Sequence, residues 1–264
     1  MDSKERRKFT IITPLMSCCG ISDPGRKRAE NEDTIHLDEV GGFVLLADGM
    51  GGHERGAEAS RTAVDVIKRF FDPEVIKSEL MDITDGCGLP AEISCQLSLI
   101  DSAVNKANDT VFQLNQEKGL TRYMGTTVVG LIILAKNKAV WFHVGDSRLY
   151  RWRNSELTCL TRDHSAYMEW DSDGRVGVAP HTNIITRAIG PTPAVSPSTG
   201  WSETLPQDIY LLCSDGLTDM ISEETVKSII GKESSVEVIA ESLIDAANAA
   251  GGRDNVSAIV CKTG

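Results

Sequence analysis

Apolar residues in this chain fall into two patterns. Short continuous runs closed by turn residues mark Phe43 to Ala47, Val140 to Val144 and Ile209 to Cys213, as buried strands do. Elsewhere the apolar positions recur every three or four residues. Ala63, Val64, Ile67, Phe70 and Phe71 form one helical face between Glu54 and Phe71, and Pro73 ends that unit. Leu97, Ile100, Val104, Ala107, Val111 and Leu114 form a longer stripe between Ala91 and Glu117. Glu223 to Ile230 reads as a short helix, and Val236 to Ala247 carries a final helical face.

The rest follows from turn residues. Residues 9–22 read as a first strand before the turn Asp23-Pro24-Gly25, and residues 34–47 as a strand pair broken at Gly41-Gly42. Residues 72–94 are polar and read as a surface connection with a short helical piece. Three runs (Thr126 to Leu134, Ala139 to Val144, Arg148 to Arg153) are joined by Lys136-Asn137-Lys138 and Gly145-Asp146-Ser147. Both joints look like hairpin connections, which predicts antiparallel pairing. Thr161 to Pro180 reads as a charged loop, and Val256 to Cys261 as the closing strand. Helices in blocks around antiparallel strands predict a layered α+β protein with one core, not a βαβ nucleotide-binding fold. The expected division is a loose tail over residues 1–8 and a single domain over 9–264.

Composition narrows the function. A chain of 264 residues can bury a large core. Its net charge of −11 argues against a nucleic-acid or anionic-membrane surface. Seven scattered cysteines without a Cys-x-x-Cys pair read as reduced core thiols in a cytoplasmic protein, not as a zinc site. Lys4, Arg6, Arg7 and Lys8 before Phe9 to Met16 loosely imitate a signal peptide, but Thr13 and Pro14 interrupt the apolar stretch and a structural strand is the better reading. No run is long enough to span a membrane. The sequence stops just after its last strand, so no C-terminal anchor or sensor domain is expected.

The chemistry lies in five acids at glycine-marked turns. They are Asp33, Asp48, Asp146, Asp215 and Asp254. Three of them follow the apolar runs, so several carboxylates gather at one mouth of a sheet. Carboxylates that close repel and take up protons. Hard divalent cations with oxygen ligands resolve the conflict, and an all-oxygen set favours Mg²⁺ or Mn²⁺ over zinc.

Eight segments stand in order: Arg28-Ala29-Glu30-Asn31-Glu32-Asp33, Asp48-Gly49-Met50-Gly51-Gly52-His53, Gly125-Thr126-Thr127, Gly145-Asp146-Ser147-Arg148, Asp163-His164-Ser165, Thr186-Arg187-Ala188-Ile189-Gly190, Ser214-Asp215-Gly216-Leu217-Thr218-Asp219 and Gly252-Arg253-Asp254-Asn255. Together they resemble the metal-dependent type 2C (PPM) protein serine/threonine phosphatases, bacterial stand-alone members above all, over about residues 9–262. The resemblance implies a four-layer α-β-β-α sandwich of two antiparallel sheets flanked by helices. It implies hydrolysis of phosphoserine and phosphothreonine monoesters by direct attack of a hydroxide bridging two ions, Mn²⁺ or Mg²⁺, with no phosphoenzyme.

The same resemblance implies the roles. Asp48 would bridge the two metals, and the Gly49 carbonyl would bind the second. Asp215 and Asp254 would complete the first. Asp33 would hold water on the second metal, with Glu32 either doing the same or remaining a solvated turn residue. Asp146 would share a third, weaker ion with Asp215. Asn255 would support the Asp254 loop. Arg28 would grip the phosphoryl oxygens through its guanidinium fork. His53 would either donate a proton to the leaving oxygen or position substrate or water, while His164 reads as structural. The implied partners are phosphorylated proteins made by a serine/threonine kinase, with no nucleic acid and no membrane, and the protein would act as a monomer. Ala166 to Thr182 corresponds to the family's flap; its Glu169, Asp171 and Asp173 suggest a preference for basic peptides.

Overall fold

The computed structural model describes residues 5–40, 42–51, 54–72, 89–233 and 235–264. The predicted connection over 72–94 falls largely outside them, as does His53. Two antiparallel sheets face each other. The six-stranded sheet runs β1(Arg7–Ile12), β2(Met16–Asp23), β13(Val256–Thr263), β12(Ile209–Cys213), β9(Arg148–Arg153), β10(Glu156–Cys159). The five-stranded sheet runs β11(Ser198–Glu203), β8(Lys138–Val144), β7(Val128–Leu134), β4(Phe43–Ala47), β3(Thr34–Leu37). A two-stranded ribbon, β5(Gly49–Met50) with β6(Gly125–Thr126), sits at one end.

Alternation along the strands builds the layers. In β4, Val44 and Leu46 face the other sheet and meet Leu149, Tyr210, Leu212 and Ile259. Phe43, Leu45 and Ala47 point the other way, into a core shared with α1(Glu54–Phe70) and α2(Ala91–Glu117). A third core lies between the six-stranded sheet and α5(Glu223–Lys232) with α6(Val236–Ala249). Two short helices, α3(Ala166–Ser172) and α4(Asp215–Thr218), lie near the ribbon end. A strand that is apolar on both faces is therefore the mark of a sandwich with helices outside.

Four details differ from the sequence reading. Residues 9–22 form two strands, because Thr13 closes a tight turn: its amide donates to the Met16 carbonyl at 2.9 Å and its hydroxyl accepts from the Leu15 and Met16 amides at 3.2 Å. The first strand begins at Arg7, and Lys8 pairs with Glu241 at 2.7 Å. Gly145-Asp146-Ser147 is not a hairpin connection; it carries the chain from one sheet to the other. Gly145 has φ +105°, and a Cβ there would lie 2.6 Å from the Thr127 methyl. The stretch read as a loop contains α3, whose N-cap Ser165 accepts from the Met168 amide. Both β10 and β11 are edge strands with few fully buried positions, so their apolar pattern is weak.

Candidate active site

The end of β4 delivers Asp48 to the ribbon end of the sandwich. Threonines brace the turn that follows. The Thr126 hydroxyl and the Thr127 amide donate to the Asp48 carbonyl at 2.8 and 2.9 Å, and the Asp48 amide donates to the Thr127 hydroxyl at 3.1 Å. Gly49 packs so tightly that a Cβ would lie 2.1 Å from the Gly56 carbonyl oxygen. No other residue allows that approach.

Four other segments converge there. Asp215 opens α4 directly after β12, and Asp146 sits at the crossing between β8 and β9. Asp33 is 2% exposed and accepts from the Ser257 and Ser214 hydroxyls at 2.6 and 3.0 Å, through one oxygen only. Asn255 ties the remaining loops together. Its side-chain amide donates to the Glu30 and Pro24 carbonyls at 2.8 and 3.0 Å, and its side-chain oxygen accepts from the Glu32 amide at 2.8 Å. Arg28 donates to Asp254 at 2.6 Å across the half-open mouth.

A pocket of about 370 Å³ is lined by Arg28, Glu32, Asp48, Gly49, Asp215 and Asp254, together with Arg122, Thr127, Met50, Gly51 and Ile185. Asp146 lines an adjoining cavity of about 170 Å³ that shares Asp215. Asp33 lies beneath, lining neither.

The acids repel one another. Burial pushes Asp48 well above the usual carboxylate range, and Asp33, Asp215, Asp146 and Asp254 push it further. Burial and neighbouring acids raise Asp33 and Asp146 to about 7 and Asp215 to about 6. Asp33 Oδ1, Asp146 Oδ1 and Glu32 Oε1 are buried without a hydrogen-bond partner. Unsatisfied buried oxygens are expensive and rare. Among the described residues no three acids have closed around a single point; they ring the pocket instead. Oxygen donors with open lone pairs and shared excess charge fit hard divalent cations.

Several contributors carried no assigned role in the sequence, although Thr126, Thr127 and Arg148 stand in the ordered segments. Arg122 lies in a polar stretch with no pattern around it. Ser257 and the two threonines act through local hydrogen bonds that no spacing announces. Arg148 forks onto Asp163 at 2.9 and 2.7 Å below the adjoining cavity. His164, read as structural, accepts from the Gly145 amide at 3.1 Å and stacks on His143 at 4.4 Å.

Residues 25–252 match the family profile of protein phosphatase 2C. The chain belongs to that family. A putative protein phosphatase 2C-type of Streptococcus pyogenes is 33% identical over 244 residues, 89% of this chain and 93% of its own length. The phosphatase fold extends through solved structures. The Mycobacterium tuberculosis serine/threonine phosphatase PstP/Ppp superposes with a TM-score of 0.78 at 31% identity, over 94% of this chain and 98% of the other. A structure of the PstP catalytic domain in complex with two manganese ions is similar at TM-score 0.75 and 32% identity, with the same coverage. The predicted phosphatase sandwich is thus the observed one.

Proposed function

We propose that this phosphatase releases phosphate from phosphoserine and phosphothreonine in proteins at the pocket bounded by Arg28, Asp48, Asp215 and Asp254. The observation that carries the reading is the gathering of mutually repelling, partly unsatisfied carboxylates beside the guanidiniums of Arg28 and Arg122. The cofactor is Mn²⁺ or Mg²⁺. Asp48, the Gly49 carbonyl, Asp215 and Asp254 would hold two ions, with Asp33 and Glu32 contributing through water, and Asp146 with Asp215 would hold a weaker third. When bound, such ions make a hydroxide nucleophile accessible near neutral pH and offset charge developing on the phosphoryl group.

The chain's own residues do the rest. Arg28 turns its fork from Asp254 onto phosphoryl oxygens, fixing the phosphorus for in-line attack. Thr126 and Thr127 hold the Asp48 turn rigid, and Asn255 holds the Glu32 and Asp254 loops in register. His53 lies outside the described residues; in this reading it donates a proton to the leaving serine or threonine oxygen. The chain acts as one catalytic domain from its first strand, Arg7–Ile12, onward. The substrates are products of a serine/threonine kinase, and the protein works in the cytoplasm as a monomer. Among the described residues no helix is long and apolar enough to cross a membrane.

Phosphate release from a phosphothreonine peptide tests the reading. Release with Mn²⁺, incorporation of one solvent oxygen into the phosphate, and loss in Asp215→Asn are expected. A trapped phosphoenzyme would overturn it.

A further inference from the structure

We propose that a groove adjoining the catalytic pocket seats an apolar side chain of the substrate polypeptide, flanking the phosphorylated residue; this rests on the phosphatase reading above. Met50 and Ile185 line both the catalytic pocket and this groove, so the two are continuous. Beyond them the groove, about 480 Å³, is walled by Ala188, Pro191, Ala194 and Val195, and also by Arg187 and three hydroxyl side chains. Successive residues of an extended peptide are only about 3.3 Å apart along the chain. A phosphoresidue in the catalytic pocket therefore brings its neighbours to the groove.

The wall is built in advance. Asn108 and Asn115 sit in the buried face of α2, 1% and 0% exposed. Buried amides are tolerated only when hydrogen-bonded, and these two are spent on the groove wall. Asn108 accepts from the Gly190 amide at 2.8 Å and donates to the Thr192 carbonyl at 3.0 Å. Asn115 donates to the Gly190 carbonyl at 3.0 Å. Thr126 exchanges backbone hydrogen bonds with Ile189 at 3.0 and 2.9 Å, while its hydroxyl holds the Asp48 carbonyl. Groove wall and catalytic turn are thus one braced unit. A wall set before binding avoids the ordering penalty that weakens flexible sites. Of the three acids expected to attract basic residues, Asp171 is already engaged, accepting from Arg175 at 2.6 Å.

The test is steady-state hydrolysis by the intact protein with Mn²⁺, using phosphothreonine peptides that differ only in having Leu, Ser, Glu or Lys at the flanking positions. A small aryl phosphate serves as control. The Leu peptide should exceed the Ser peptide about tenfold in kcat/KM, mainly through KM, the equivalent of about 1.4 kcal/mol. Ala194→Glu, at an exposed wall position, should erase that preference and leave aryl phosphate turnover unchanged. Equal kcat/KM across the four peptides would overturn the groove while normal aryl phosphate turnover kept the phosphatase reading intact. So would a Glu or Lys preference that survives Ala194→Glu. Failure on the aryl phosphate and on every peptide would overturn both.

Discussion

Buried acids in this molecule are held on two opposite terms. Away from the pocket each faces an arginine. Asp208, 2% exposed, takes a two-pronged contact from Arg153 at 2.8 and 2.5 Å. The half-buried Asp163, at the edge of the site itself, takes the same fork from Arg148. Burial pushes Asp23 up, but Arg6, the Gly25 amide and Asn248 more than offset it and leave its carboxyl below the ordinary range. At the pocket the acids face one another, and Asp33, Asp48, Asp146 and Asp215 are all pushed up. The fold can neutralise a buried acid and does so repeatedly. Where it leaves acids uncompensated, stability is given up for a positive ligand.

Substitution should therefore act in opposite directions in the two regions. Asp48→Asn is expected to lower kcat/KM at least a thousandfold while raising the melting temperature of the metal-free protein, because it removes repulsion. Turnover with Mn²⁺ read beside metal-free melting checks both halves; a destabilised, active variant would break the contrast. Asp208→Ala should do the reverse, losing about 2 kcal/mol because the Leu205 amide loses its acceptor and Arg153 keeps only the Glu203 carbonyl. Denaturant unfolding should show the loss, with kcat of the folded protein unchanged.

Much of this contrast was legible in the sequence. The five acids could be picked out because glycines and apolar runs frame them, and the helical stripes over 54–71 and 91–117 matched α1 and α2 because burial on one face leaves a periodic trace. The pairing of Asp208 with Arg153 spans 55 residues and leaves no trace at all. The crossing at Gly145 was read as a hairpin because a short glycine turn between two strands looks the same whichever sheet the second strand joins. Tertiary hydrogen bonds from His164 decide that case.

pH sharpens the comparison further. The folded pKa values of Asp33, Asp146 and Asp215, about 7, 7 and 6, lie above the ordinary 3.8. The unfolded chain ionises first, so the contribution of these three groups to the stability of the metal-free protein is full below about pH 4 and is lost as pH rises through 6–7. Mn²⁺ should thus protect more at pH 8 than at pH 5.5. At a hundredfold excess over its Kd, protection of about 2.7 kcal/mol is expected, or roughly 5–10 °C in Tm. Scanning calorimetry at the two pH values checks this; equal protection at both would contradict it.

A smaller effect of opposite sign belongs to His164. Burial, with His143 and Arg187 nearby, lowers it to about 3 from 6.5. The unfolded chain gains that proton first, so this contribution is present above about pH 6.5 and declines as pH falls towards 3. Replacing His164 with Asn should flatten the acid limb of the stability profile, measured by urea unfolding between pH 4 and 7.

The uncompensated acids are arranged to hold metal ions. Titration calorimetry of Mn²⁺ into the metal-free protein at pH 8 should find two ions bound tightly and a third more weakly, with the tight pair lost in Asp48→Asn and retained in Asp208→Asn. Equal Mn²⁺ binding by the wild type and Asp48→Asn would contradict it.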